Sequence, residues 1–209
     1  MNRSKVGALA LIAAIAMPAP ASQATAADQT TAASSPFRAG PDGSMIHHST
    51  EIAFPRASDG FVRVSIQALD NRNESVVVVY ERGKGDHKSA ARVTLVQIDD
   101  MSAHEHFAGM APIVGTYFDG LHFTDIKPIS DGPLDLAGVP PRNAWQGHFT
   151  AVRGKEHYIL SLSTLDMGNW GGRVTAAYPR DEASDIQKRL NALVGKIRAT
   201  GPTHVHAGD

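Results

Sequence analysis

The sequence predicts an α+β domain built on a central antiparallel sheet of about six strands. Three observations predict it: short β-branched runs separated by turn sequences, a helix-start signal in the middle of the chain, and an amphipathic helical pattern near its end. Strands and helices that are segregated along the chain are typical of this class. We expect an early hairpin, a middle helical segment and a C-terminal amphipathic helix packed on the sheet.

The early strands are predicted over residues 60–69, 74–82 and 91–99. The sequence DNRN (70–73) has turn composition, so the first two runs form a hairpin. The second and third runs carry apolar side chains at successive positions, as in VVVV (76–79), and therefore on both faces of a strand. Strands of this kind are covered on both sides, so we expect a layer on each face of the sheet.

A second hairpin is predicted from residues 143–153 and 156–165, which a two-residue turn at Gly154 and Lys155 joins. Such a turn fixes which residues face each other across the two strands. The resulting pairs are Ala151 with Tyr158, Phe149 with Leu160, and Gly147 with Leu162. Because this register gathers the large apolar side chains on one face, turn and pattern support the same pairing.

The last strand is predicted over residues 170–179, where Pro179 ends it, and the C-terminal helix follows. Acidic residues crowd the start of this helix, Lys196 and Arg198 lie in its last turn, and a Gly-Pro pair stops it. Its apolar residues recur at helical spacing: Ile186, Leu190, Leu193, Val194 and Ile197. One apolar stripe needs one apolar surface, so we expect this helix to pack across the sheet.

The middle helical segment is predicted to begin at SAHE (102–105), which fits the S-x-x-E capping box. Phe107, Met110 and Val114 then follow at the spacing of one helix face, and Pro112 predicts a kink or a restart. In a capping box the glutamate binds the backbone. Glu105 is then not available as a free base.

The order of these elements resembles the Mog1/PsbP-like α+β domains of exported bacterial proteins of unknown function. The most suggestive residues are NWGGRVTAAYP (169–179) leading into the final helix, and the resemblance spans about residues 50–200. Domains of this kind are typically non-enzymatic binding or assembly factors. The resemblance therefore implies a partner-binding role, and it carries over no active-site residues.

Residues 1–26 are predicted to be a secretory signal peptide. Arg3 and Lys5 precede an apolar run and a small-residue A-x-A site, and we expect cleavage after Ala26. The apolar run is shorter than the ~20 residues that a membrane-spanning helix needs. The chain has no cysteine, which excludes disulfides and lipid attachment through a thiol. We expect a soluble periplasmic or secreted protein without a transmembrane segment in its mature form.

The mature chain is predicted to comprise a flexible linker (27–44), a single α+β domain (45–200) and a disordered tail (201–209). The linker is rich in Ala, Thr, Ser, Pro and Gly, which bury too little apolar surface to fold. Loss of residues 1–26 removes two basic residues and no acidic one, so the net charge moves from −1 to −3. This balance provides no general attraction for nucleic acid.

The aromatic residues pose a choice between a ligand groove and the core. Trp145, Trp170, Tyr117, Phe118 and Phe123 are the candidates, and aromatic residues make up 6% of the chain. A core of this size would use most of them, so composition favours the core.

The candidate metal ligands are His104, Glu105 and His106, with His148 as a further one. On a helix, residues two apart point away from each other, and the zinc-protease pattern H-E-x-x-H would need histidine where the chain has Ala108. Our leading hypothesis is a non-enzymatic binding or accessory domain, without a cofactor, that acts on a periplasmic protein or a small ligand. The alternative is a periplasmic metal-binding protein or metal-dependent hydrolase that uses a divalent ion.

Overall fold

Alternating and β-branched runs form the expected strands, and they assemble into one large and one small antiparallel sheet. A computed structural model describes residues 35–70, 75–85, 88–98 and 101–200, all within one compact unit. The predicted signal peptide, the first part of the predicted linker and the predicted tail lie outside the described residues. The strands are β1 (Phe37–Ala39), β2 (Met45–His47), β3 (Ala53–Phe54), β4 (Ala57–Ser58), β5 (Phe61–Ala68), β6 (Val76–Arg82), β7 (Ser89–Gln97), β8 (Thr124–Pro133), β9 (Ala144–Arg153), β10 (Glu156–Asp166) and β11 (Trp170–Pro179).

The large sheet has eight strands in the order β4-β5-β6-β7-β11-β10-β9-β8, and every neighbouring pair is antiparallel. The α+β class and all six predicted strands are confirmed, and the sheet gains β4 and β8 at its two edges. The sequence of β8 contains Pro128, Pro133, Asp and Gly, which are depleted in strands. An edge strand tolerates proline because one of its sides needs no ladder hydrogen bonds.

The predicted register of the second hairpin is confirmed. Tyr158 lies opposite Ala151, Leu160 opposite Phe149 and Leu162 opposite Gly147. The backbone of the turn residue Gly154 has φ +64°, a conformation that glycine adopts without steric cost. The turn therefore sets the register that places the large side chains on one face.

The C-terminal helix α2 (Ala183–Ala199) packs on one face of the large sheet, as predicted. Its stripe residues are all buried: Ile186, Leu190, Leu193, Val194 and Ile197. They share a core with Val78 of β6, Leu95 of β7 and Val174 of β11. Among the described residues, no helix is long and apolar enough to cross a membrane.

The opposite face of the sheet is covered by α1 (Ala103–Met110) and by the kinked 3-10 segment Ala111–Leu121. Phe107, Val114 and Phe118 from this layer form a second core with Phe149 of β9 and with β10. The predicted middle helical segment is confirmed. The helix changes type at Ala111, next to Pro112, where the sequence predicts a kink or a restart.

The linker prediction is wrong from residue 37 onward. Phe37 begins β1, which pairs with β2 so that Phe37 lies opposite His47. The Phe37 ring is buried and meets Phe54 edge to face, with 6.1 Å between the ring centroids. One aromatic anchor and a short hairpin order a segment whose average composition resembles a linker. Composition averaged over the segment does not register a single buried ring.

Replacing Gly147 by alanine should lower the free energy of unfolding by about 1–3 kcal/mol. Gly147 is buried in β9, and a Cβ atom there would lie only 2.7 Å from Cε2 of Phe107, so the second core would have to shift. Urea denaturation measures the change. Gly132→Ala in the adjacent strand is the control, because an added Cβ meets no atom within 4 Å. Equal stability of the two variants would contradict close packing at Gly147.

Candidate functional site

The candidate metal ligand Glu105 is held by the start of α1. The Ser102 amide donates to Oε2 of Glu105 at 2.9 Å, and the Glu105 amide donates to Oγ of Ser102 at 3.2 Å. This is the predicted capping box. The hydrogen bonds from the Ser102 side chain and backbone hold the pKa of the Glu105 carboxyl below its ordinary value. Glu105 therefore acts as a helix cap.

The two histidines beside Glu105 point to different surroundings. His104 is exposed and lies against Trp145, with 4.3 Å between the ring centroids. His106 is buried on the side of α1 that faces the sheet. It packs closely on Gly171 of β11, where an added Cβ atom would lie 3.1 Å from the His106 Cε1 atom. Its Nδ1 has no hydrogen-bond partner among the described residues. Burial, and then the charge of Arg173, lower the pKa of His106, so it is held as the neutral imidazole.

The structure does not bring the candidate metal ligands together. His148 lies on the α2 side of the sheet, where its Nε2 is 3.0 Å from Oε1 of Gln187. His104 and His106 belong to the helix on the other side. Within the described ranges, no group of three or more His, Cys, Asp or Glu side chains is placed to hold a metal ion. The metal-site hypothesis thus gains no support from the folded arrangement.

A groove with a volume of about 840 Å³ lies between the 3-10 segment and the outer strands β8 and β9. We call it the apolar groove. Its main apolar lining residues are Ile113, Val114, Phe118, Phe123, Ile126 and Phe149. Thr116, Asp119 and His122 add polar groups, and all three are exposed. The groove combines a buried apolar floor with a few polar groups that a ligand can reach.

The local sequence explains why a groove forms here. The 3-10 segment is interrupted at Ile113 and Phe118, whose backbones leave helical geometry, so the chain follows the sheet without covering it completely. Gly115 lies next to the Ile126 side chain and leaves room for it, because a Cβ atom on residue 115 would lie only 2.9 Å from the Ile126 Cδ1 atom. His122, with φ +52°, ends the segment in a left-handed turn.

Two of the groove aromatics, Phe118 and Phe123, are among the residues that the composition of the chain assigns to the core. Phe118 is buried in the second core and also lines the groove, and half-buried Phe123 packs on the same core. One set of rings therefore serves both purposes. The groove itself unites residues from the 3-10 segment with Phe149, and no pattern along the chain indicates this meeting.

Comparison with known proteins gives a distant similarity. No family model and no curated protein matches the chain. Among solved structures, it is similar to the Ran-binding protein Mog1p of Saccharomyces cerevisiae, with 13% identity and a TM-score of 0.42. A structure of a Mog1 mutant gives 12% identity and the same TM-score. Each match covers 71% of this chain and 87% of the other. Both are Mog1 structures, and the weak likeness is to the same Mog1/PsbP-like group that the sequence resembles.

The substitution His106→Leu should weaken the pH dependence of stability. Because the pKa of His106 is lowered in the folded state, the unfolded chain takes up its proton first as the pH falls. Folded stability is therefore lost as the pH falls below 6.5, the ordinary histidine value. The free energy of unfolding of the variant, measured in urea, should fall less than that of the unaltered protein between about pH 7 and pH 5.

Phe107→Leu is the matched control for this measurement. It changes a neighbouring buried side chain of α1 that carries no titratable group. It should lower stability at every pH and keep the original dependence. The same pH dependence in His106→Leu as in the unaltered protein would contradict a buried neutral His106.

Proposed function

We propose that this chain is an exported, non-enzymatic binding domain whose apolar groove takes a small, mainly apolar ligand. The observation that carries the proposal is the groove itself. Its volume of about 840 Å³ lies within the roughly 300–1,000 Å³ of small-molecule sites, and most of its lining residues are apolar, whereas Thr116, Asp119 and His122 are polar. This combination is typical of sites that bind a ligand by burying its apolar surface.

The lining also indicates the chemistry of the ligand. Val114, Phe118 and Phe149 form a buried apolar floor, which favours a hydrocarbon or aromatic body. Asp119 and His122 are exposed, so they are available to a polar group at one end of that body. Such a ligand would be amphipathic, with most of its surface apolar.

The hydrogen bond made by the one side-chain hydroxyl in the groove lining favours binding over catalysis. Thr116 is the hydroxyl-bearing residue among those that line the groove, and its Oγ1 donates to the carbonyl of Ile113 at 2.8 Å. The hydroxyl donates to a backbone carbonyl in the turn of the 3-10 segment, and not to a base that would activate it as a nucleophile. The lining therefore provides a surface for binding.

The substitution Ile113→Asp should weaken the binding of a neutral apolar probe. Ile113 lines the groove and is 46% exposed, so the substitution should leave the core intact. An apolar ligand that binds beside the new carboxylate would have to remove water from it, which costs free energy. We expect the affinity for phenylnaphthylamine, followed by its fluorescence, to fall by about tenfold or more, which corresponds to about 1.4 kcal/mol.

Val64→Asp is the matched control. Val64 is an apolar residue of β5 that is 52% exposed and does not line the groove. It introduces the same charge at similar exposure and should leave the affinity unchanged. Equal weakening by both variants, or no probe binding by the unaltered protein, would reject the proposed function.

Export is tested separately from binding. The full chain expressed in a bacterium should appear in the periplasmic fraction without residues 1–26, and mass spectrometry should find Ala27 at its N-terminus. Replacing Ala24 and Ala26 by arginine should block cleavage, because the site requires small residues. Ala33→Arg is the control and should be processed normally. A cytoplasmic, uncleaved product from the unaltered chain would contradict export.

A further inference from the structure

A second concave site lies on the other face of the outer strand β8. It is a cleft of about 320 Å³ at the end of β8, β9 and β10, and we call it the basic cleft. Thr150 lies opposite both Lys127 and Ile159, and Ile159 belongs to the core under α2. Since cross-strand partners share a face, the cleft opens on the α2 side of the sheet. It is separated by β8 from the apolar groove.

Charged side chains from three parts of the chain meet in the basic cleft. Its charged and polar lining residues include Asp125 and Lys127 from β8, His157 from β10, and Arg180 just after β11. Arg180 reaches this position because β11 ends at Pro179, opposite Tyr158. Lys127 supplies an ammonium donor and Arg180 guanidinium donors, and the imidazole of His157 can add another donor.

These cations are not used to hold the fold. Other basic residues form ion pairs, such as Arg82 with Glu182 at 3.5 Å and Lys196 with Asp59 at 3.1 Å. Lys127 and Arg180 have no carboxylate within ion-pair distance in the part of the chain that the structure describes. Two unpaired cations in one cleft, on a chain of net charge −1, form a local site for an anion.

A β-bulge brings the acidic residue into the same cleft. Thr124 lies opposite Val152 and Lys127 opposite Thr150, so β8 has one residue more than β9 over this stretch. Asp125 lies in the extra length with φ +52°, a left-handed backbone that is uncommon outside glycine. Bulges re-aim side chains. Here the bulge adds a carboxylate beside two cations without pairing it to either of them.

We propose that the basic cleft binds inorganic phosphate, with Lys127 and Arg180 on its charged oxygens and Asp125 on its remaining proton. Charge-assisted hydrogen bonds from ammonium and guanidinium groups are the strong contacts for such oxygens. Inorganic phosphate keeps at least one proton at neutral pH, and that O–H needs an acceptor. A carboxylate provides the acceptor and repels an anion that has no proton. The pairing of two cations with one carboxylate therefore selects phosphate over sulfate.

Calorimetric titration of the full chain at neutral pH in a phosphate-free buffer tests the assignment. The unaltered protein should bind phosphate at one site and bind sulfate more weakly. Phosphoserine, a phosphate monoester that has lost most of its last proton at this pH, should behave like sulfate. The double variant Lys127→Gln/Arg180→Gln should bind phosphate at least about tenfold more weakly.

The control is Lys84→Gln/Arg56→Gln, which removes two exposed cations elsewhere and changes the net charge equally. It should bind phosphate as the unaltered protein does, and so should Ile113→Asp, whose change lies in the apolar groove. Asp125→Asn should bring the affinities for sulfate and phosphate closer together. The proposal would be overturned if the unaltered protein bound no phosphate or preferred sulfate or phosphoserine. It would also be overturned if the two double variants lost affinity equally, or if Asp125→Asn kept the original selectivity.

Discussion

The fold depends on the burial of β10 on both of its faces. From Tyr158 to Asp166 every residue of this strand is buried. Ile159 and Leu165 belong to the core under α2, whereas Tyr158, Leu160 and Leu162 belong to the core under α1 and the 3-10 segment. A shift of one residue in register would exchange the two sets. The turn at Gly154 therefore constrains both layers of the protein at once.

On the face of the sheet under α2, several buried and half-buried polar side chains form hydrogen bonds with one another. Gln146 donates to Ser163 at 2.7 Å, and Gln187 of α2 donates to Asn191 at 2.7 Å and to Gln146 at 3.2 Å. His148 shares a hydrogen bond with Gln187. Because a half-satisfied network would be costly, this connected set fixes the position of α2 on the sheet. It accounts for His148 as a structural residue.

The sequence predicts those features that depend on neighbours along the chain. The capping box at Ser102, the stripe of α2 and the pairing of Phe149 with Leu160 each follow from a local pattern, and each is found. Two features depend on distant partners instead. Phe37 is ordered by Phe54, and β8 is a strand because β9 supplies its ladder, although its own composition is that of a loop. The groove and the cleft, which both border β8, could not be predicted for the same reason.

The position of β8 at the edge explains why both candidate sites border it. The central strand β10 is buried from Tyr158 to Asp166, and only its first two residues, Glu156 and His157, are exposed to a ligand. In β8, Ile126 and Pro128 line the apolar groove, while Asp125 and Lys127 line the basic cleft. The bulges and Pro128 make this edge irregular, and an irregular edge does not readily pair with a strand of another chain. An edge strand that is protected in this way can expose functional side chains on both faces without becoming an aggregation site.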